Sequence, residues 1–184
     1  LTDNTIWDIH VDAEKNIWVG TQQGLSILPK ERAIELQHLR ATDTIFSQQL
    51  FQQFTMREGL PDNFVTQIIV AGNNRLYIGT NLGVCELVLQ SNKDNKKQWQ
   101  VGQVFNTATG YPIKDVNAGQ GTMFQDSKGI IWIATGSEKT GLVRFDPKAL
   151  YQGPSKPPVL VIQQLSVNNE QLVWNDLDDQ VLSS

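Results

Sequence analysis

Three stretches of the chain say nearly the same thing. DAEKNIWVGTQQGL (Asp12 to Leu25), AGNNRLYIGTNLGV (Ala71 to Val84) and DSKGIIWIATGSEKTGL (Asp126 to Leu142) share one pattern: a polar turn, an aromatic, a β-branched residue, Gly or Ala, Thr, then Gly and an aliphatic. Trp18, Tyr77 and Trp132 mark equivalent positions, 59 and 55 residues apart. Those separations exceed the roughly 40 to 50 residues of one four-stranded propeller blade. Each unit is therefore read as a blade with insertions.

The turns carry the local argument. Glu14 to Asn16, Gly72 to Asn74 and Ser127 to Gly129 are clusters of turn-forming residues flanked by alternating apolar positions, which is a hairpin signal. Ile6 to Val11, Val65 to Val70 and Thr122 to Phe124 precede the turns; Ile17 to Thr21, Leu76 to Thr80 and Ile130 to Thr135 follow them. The second strand of each pair narrows to Gly20, Gly79 or Ala134, as expected where neighbouring sheets approach closely and a larger substituent would clash. Thr and the following Gly24, Gly83 or Gly141 make the next turn, and the third copy carries an inserted loop, Ser137 to Thr140. Within Glu31 to Gln53, Ile34, Leu36 and Leu39 fit a strand or a short helix equally well, while Ile45, Phe46, Leu50 and Phe51 have helix-like spacing.

Composition excludes several classes. The 184 residues contain no apolar run near the roughly 20 needed to cross a bilayer, so no direct membrane insertion is expected. The net charge is −4 and no Lys/Arg cluster reaches the density of a nucleic-acid footprint, so no nucleic-acid partner is expected; Lys96 and Lys97 read as a solvated turn. Cys85, the single cysteine, excludes an internal disulfide and reads as a small core hydrophobe.

Residues for chemistry are scarce. His10 and His38 have no acidic or thiol partner at metal-ligand spacing. Gly119-Gln120-Gly121 opens like a dinucleotide loop, but a strand follows where a helix is required. Asp12, Glu14 and Asn16 alternate like a calcium loop, yet Ile17 stands at its glycine and no terminal Glu follows. Asp12 and Asp126 instead sit where a carboxylate accepts main-chain N–H groups of a turn. No catalytic, cofactor-binding or metal-binding residue is assigned and no cofactor is expected. Trp18 and Trp132 are expected to fill the core between blades; Trp7, Trp99 and Tyr111 are less constrained, and no ligand-binding residue is named from them.

A second signal recurs before the strands. Phe54-Thr-Met-Arg-Glu-Gly59-Leu60-Pro61-Asp62-Asn63 is echoed by Phe105-Asn-Thr-Ala-Thr-Gly110-Tyr111-Pro112, and Asp3-Asn4-Thr5-Ile6 looks like the tail of the same element, which points to a blade cut by the chain start. Together with Trp18-Val19-Gly20-Thr21 and Gly24-Leu25, these words resemble the two-component regulator propeller repeat found in extracytoplasmic sensor regions of bacterial hybrid histidine kinases. The middle copy departs from that pattern, with Tyr77 for Trp, Gly83-Val84 for Gly-Leu and Ala71 for Asp.

Texture changes after Phe145-Asp146-Pro147. Residues 151–158 are a Pro-rich linker, and Val159 to Ile162, Leu165 and Val167, an Asn168-Asn169-Glu170 turn and Leu172 to Trp174 form a strand–turn–strand run. This run resembles the opening of the Ig-like (Y_Y_Y) module that follows the propeller in the same receptors. The expected fold is all-β: a partial β-propeller of about three repeats over residues 1–150 (near 3–30, 60–90 and 113–146), the linker, and the first hairpin of an Ig-like β-sandwich over 159–184.

The resemblance implies a periplasmic, non-catalytic sensor fragment of a receptor whose output is a histidine kinase or a diguanylate cyclase. It implies a small-molecule or oligosaccharide ligand. About three blades leave two sheet faces without neighbours, so self-association or a homodimer is expected, or else closure by further blades of a longer chain. A free-standing scaffold would show the same blades, and a propeller enzyme would need converging acidic or histidine residues.

Overall fold

The computed structural model describes residues 1–37, 50–72, 74–91, 94–119, 121–136, 141–151, 165–167 and 170–172. The readings placed on His38, Leu39, Ile45, Phe46, the Ser137 to Thr140 insertion, the Pro-rich linker and Val159 to Ile162 lie outside those residues. Two compact units are present, 1–150 and 151–184.

The first unit is three antiparallel sheets in chain order. The first holds β1 (Ile6–Val11), β2 (Ile17–Thr21), β3 (Gly24–Leu28) and β4 (Gln52–Phe54); the second holds β5 (Val65–Gly72), β6 (Arg75–Thr80), β7 (Gly83–Ser91) and β8 (Lys97–Phe105). The third holds β9 (Met123–Gln125), β10 (Ile131–Ala134) and β11 (Leu142–Phe145). Each sheet is a meander in which successive strands are neighbours, the layout of a propeller blade. One helix, α1 (Lys30–Gln37), interrupts the first blade between β3 and β4, which settles the strand-or-helix alternative at Ile34 and Leu36. Lys97, read as part of a turn, opens β8. In the second unit, β12 (Leu165–Val167) pairs with β13 (Glu170–Leu172), with Leu165 opposite Leu172.

Register shows how the blades stack. Facing residues alternate along a strand, so cross-strand partners define two faces per sheet. One face of the first sheet carries Trp18, Leu25, Ile27 and Phe54, and it packs on Ile68, Leu76, Ile78, Cys85 and Leu87 of the second. The opposite face of the second sheet, with Tyr77, Val84 and Phe105, packs on Met123, Ile131, Ile133, Val143 and Phe145 of the third. The same junction is therefore made twice: an aromatic-bearing face of one blade meets the aliphatic face of the next. Cys85 lies fully buried in the first junction, where burial foremost and then the charge of Glu86 push its thiol pKa up, so it is a core residue.

The narrow positions sit in these junctions. A Cβ on Gly20 would stand 2.7 Å from Val65 Cγ1, and one on Gly79 would stand 2.7 Å from Met123 Sδ. The Thr–Gly turn repeats too: Thr21 Oγ1 donates to Gly24 O (2.8 Å) and Thr80 Oγ1 to Gly83 O (2.9 Å). Gly24 and Gly83 have φ of +130° and +103°, and a Cβ on either would strike the carbonyl oxygen of Phe54 or Phe105.

The Gly-X-Pro signal is a built connector between blades. After Phe54, a 3₁₀ turn Met56–Glu58 is closed by a reciprocal cap between Thr55 and Glu58, and Gly59 ends it in the left-handed region. Those hydrogen bonds, first from the Thr55 hydroxyl and then from its N–H, hold the Glu58 carboxyl below its usual range. After Phe105, Asn106 and Thr109 make the same cap around Thr107–Thr109, ended by Gly110. Leu60 then fills the first junction, and Tyr111 packs edge-on against Phe105, 5.0 Å between ring centroids.

Candidate ligand-binding site

β1, β5 and β9, the first strands of the three blades, run beside one another. Along them lies a shallow groove of about 480 Å³ lined by Trp7, Asp8, His10, Gln67, Gly121 and Phe124, with aliphatic neighbours. Trp7 and Phe124 are exposed large hydrophobics within it.

The backbone explains how Trp7 comes to face the groove. The β1–β2 register shifts between Ile6 and Asp8, and the β5–β6 register shifts between Val65 and Gln67, so both strands carry an irregularity at the same repeat position. Such bulges re-aim a side chain. In β1 the residue between is Trp7, whose indole leans on Phe64 at 5.1 Å; in β5 it is Thr66, wholly buried. Thr66 Oγ1 has no hydrogen-bond partner among the described residues.

The next position in each strand ties blade to blade. Asp8 Oδ2 accepts the N–H of Ile68 (2.7 Å), crossing from the first blade to the second, and Gln67 Nε2 donates to Gly119 O (2.9 Å), crossing from the second blade into the loop before β9. His10 Nε2 stands 3.7 Å from Asp8 Oδ2. The groove thus combines two exposed rings, a carboxylate, an imidazole and an amide on a frame fixed by inter-blade hydrogen bonds. Sequence reading left Trp7 open and missed Asp8 and Gln67. Their equal spacing from Trp18 and Tyr77 was the available signal, but a bulge leaves no mark in composition.

The expected turn carboxylates are spoken for. Asp12 Oδ1 accepts Asn16 N (2.8 Å), while Oδ2 accepts Asn16 Nδ2 (2.8 Å) and Trp18 Nε1 (2.9 Å). Asp126 repeats this with Lys128 N, Ile130 N and Trp132 Nε1. The Trp132 indole N–H, with those main-chain groups and Lys128 adding to it, holds the Asp126 carboxyl below its ordinary range. Trp18 is fully buried as expected, but Trp132 is only half-buried, a correction to its assignment to the inter-blade core. Its face of the third blade has no sheet against it among the described residues. Trp99, by contrast, is buried edge-on against Trp18 at 5.0 Å.

Residues 1–23 and 59–82 match the family described as two component regulator propeller. The third copy, outside the matched residues, shares their strand register, as the paired positions Trp18, Tyr77 and Trp132 show. No curated protein sequence matches the chain. Among solved structures, the extracellular domain of the B. thetaiotaomicron protein named as hybrid two component system BT3049 is similar over 93% of this chain and 20% of its own, at 22% identity and TM-score 0.54. That of BT4673 from the same organism is similar over 79% of this chain and 17% of its own, at 18% identity and TM-score 0.54. The chain spans about a fifth of the length of these structures, and the likeness is one of fold.

Proposed function

We propose that this chain is the ligand-sensing part of an extracytoplasmic, periplasmic region of a bacterial two-component receptor, without catalytic activity of its own. The observation that carries the reading is the inner-strand groove, set in propeller repeats of the two component regulator type. Trp7 and Phe124 offer faces for a sugar ring or other small cyclic ligand, and the His10 imidazole beside the Asp8 carboxylate suits its hydroxyls, while Asp8 and Gln67 are held by main-chain groups as part of the frame. Because Asp8 and Gln67 also bridge successive blades, a ligand held there favours one inter-blade arrangement over another through its different affinity for the two. The hairpin β12–β13 is the start of an Ig-like module in this reading, and the output of the receptor is a histidine kinase or a diguanylate cyclase. Self-association through sheet faces that lack a neighbour belongs to the same reading.

Titration with a panel of neutral and acidic oligosaccharides, followed by tryptophan fluorescence and calorimetry, tests it. One class is expected to bind, and Trp7→Ala to weaken that binding at least tenfold while the melting temperature stays within a degree or two. Binding that ignores Trp7→Ala, or no binding across the panel, overturns the groove as the sensing site. A membrane span and a kinase or cyclase in the same reading frame support the receptor assignment; a frame without either overturns it.

A further inference from the structure

The two junctions inside the chain are bridged at the same repeat position by side chains of different chemistry. Asp8 pairs with Gly20 in the first blade and Gln67 with Gly79 in the second, so the two occupy one register position. Asp8 Oδ2 accepts the N–H of Ile68 at 2.7 Å and Oδ1 that of Ile9 at 2.9 Å, whereas Gln67 Nε2 donates to Gly119 O at 2.9 Å. The first bridge is therefore a carboxylate and the second an amide, which does not titrate. Two residues on, the contrast is repeated. His10 pairs with Trp18 and Ile69 with Tyr77, again one register position, so the first junction sets an imidazole beside its bridge where the second sets an alkyl side chain.

The geometry suits a proton-dependent contact. Residues two apart share a face of a strand, and His10 Nε2 stands 3.7 Å from the same Asp8 oxygen that crosses to Ile68. That separation is too long for a hydrogen bond of the neutral ring and within the range of an ion pair once the ring is charged. The His10 side chain is 41% exposed and that of Asp8 19%, so the ring meets water while the carboxylate is largely covered. Among the described residues no other charged side chain lines the groove: β5 offers Gln67, Ile68 and Ile69 to it, and neither β2 nor β9 contains a charged residue.

We propose that His10 is a proton-dependent regulator of the groove, acting on the Asp8 bridge of the first junction and leaving the Gln67 bridge of the second unaffected. As pH falls through the imidazole range, near about 6.5, the charged ring pairs with Asp8 Oδ2 and shares that oxygen with the Ile68 N–H. The lining of the groove then carries no net charge. Above that range Asp8 is the charged group of the groove and repels anionic ligands. The inference rests on the reading of the groove as a sensing site and assigns acid to it as a second input.

An NMR titration of the isotope-labelled chain between about pH 8 and 5 reads the bridge without any ligand. The Ile68 amide signal is expected to shift with the same midpoint as the His10 ring, and the Gln67 side-chain amide to stay in place. In His10→Gln the Ile68 shift should vanish, with circular dichroism and cooperative melting confirming the fold. An Ile68 amide that does not follow the His10 ring, or that shifts as much in His10→Gln, overturns the proposal. Trigalacturonate and its methyl ester, alike in shape and different in charge, then read the effect on binding. The acid is expected to bind about three- to tenfold tighter at about pH 5.5 than at about pH 7.5, and the ester equally at both. The same pH dependence for acid and ester, or one that persists in His10→Gln, overturns control through the charge of the groove. If neither sugar binds, the loss falls on the reading of the groove as a sugar site, and the Ile68 titration still decides whether His10 acts on the bridge.

Discussion

The first and third blades add a carboxylate to the main-chain hydrogen bonds that close their opening hairpin, Asp12 N to Asn16 O and Asp126 N to Ile130 O, whereas the second carries alanine at the equivalent position. In the first, Asp12 gathers the turn and the Trp18 indole at once; in the third, Asp126 does the same for Trp132. In the second, both partners are changed together, to Ala71 and Tyr77. There the β5–β6 pairing runs on to Gly72 opposite Arg75, and no carboxylate stands at the Ala71 position to reinforce it. Tyr77 finds its surroundings in Phe105 and Phe145, with centroids 6.3 and 5.6 Å away. A blade can thus be held by a polar clamp or by ring packing, provided the aromatic site and the narrow residue after it remain.

The sharpest way to separate clamp from packing is to remove the aromatic. Trp18→Ala empties a fully buried site in the first junction and is expected to cost about 3–5 kcal/mol in chemical unfolding. Trp132→Ala removes a half-buried ring from an uncovered face and is expected to cost about 1–2 kcal/mol. Equal losses would mean that the Asp–Trp hydrogen bond, common to both, outweighs the packing that only Trp18 has.

The clamp itself comes next. Asp12→Ala leaves the buried Trp18 indole N–H and the Asn16 N–H without their acceptor, which is expected to cost about 1–3 kcal/mol. If the second blade is truly independent of such a clamp, Ala71→Asp should give no comparable gain, because Tyr77 stands where the other two blades have the indole N–H. A stabilisation by Ala71→Asp matching the loss at Asp12 would show that the two hairpins differ in sequence and not in mechanism.

What was readable from the chain follows the same division. The turn–aromatic–Gly–Thr words fix three hairpins, their strand order and the Thr–Gly turns, because each depends on residues within a few positions of one another. Asp12 and Asp126 were legible as turn acceptors for that reason. Burial depends on what lies opposite, so sequence alone places Trp132 in a junction that no described sheet completes and does not place Trp99 and Tyr111, although Trp18 and Phe105 cover them. The groove was illegible as a site because Trp7, Asp8 and Gln67 converge only once a bulge and two blade junctions are in place.

Those junctions differ in how firmly they hold their narrow point. Gly20→Ala drives a methyl against Val65, whose side chain is itself fixed in the core, and is expected to cost about 1–3 kcal/mol. Gly79→Ala meets the Met123 thioether first, which can swing aside, although Val116 Cγ1 at 2.9 Å limits the escape. The first substitution should therefore lower the melting temperature more than the second; the reverse order would identify Val116 and not Met123 as the wall.

The smallest effect concerns acid. Asp126 has its carboxyl held below the ordinary range, foremost by the Trp132 indole N–H, so the unfolded chain binds a proton at that group more readily than the folded one. Its stabilising contribution is therefore complete above about pH 4, the unfolded carboxylate range, and declines as pH falls through the lower folded value. Asp126→Asn cannot titrate and turns either an amide N–H toward the indole N–H or an amide N–H toward Lys128 and Ile130. The variant is expected to melt slightly lower near pH 7 and to show a shallower fall in stability below pH 4 than the unsubstituted chain. Parallel pH curves for the two would mean that the clamp of the third blade carries no acid sensitivity.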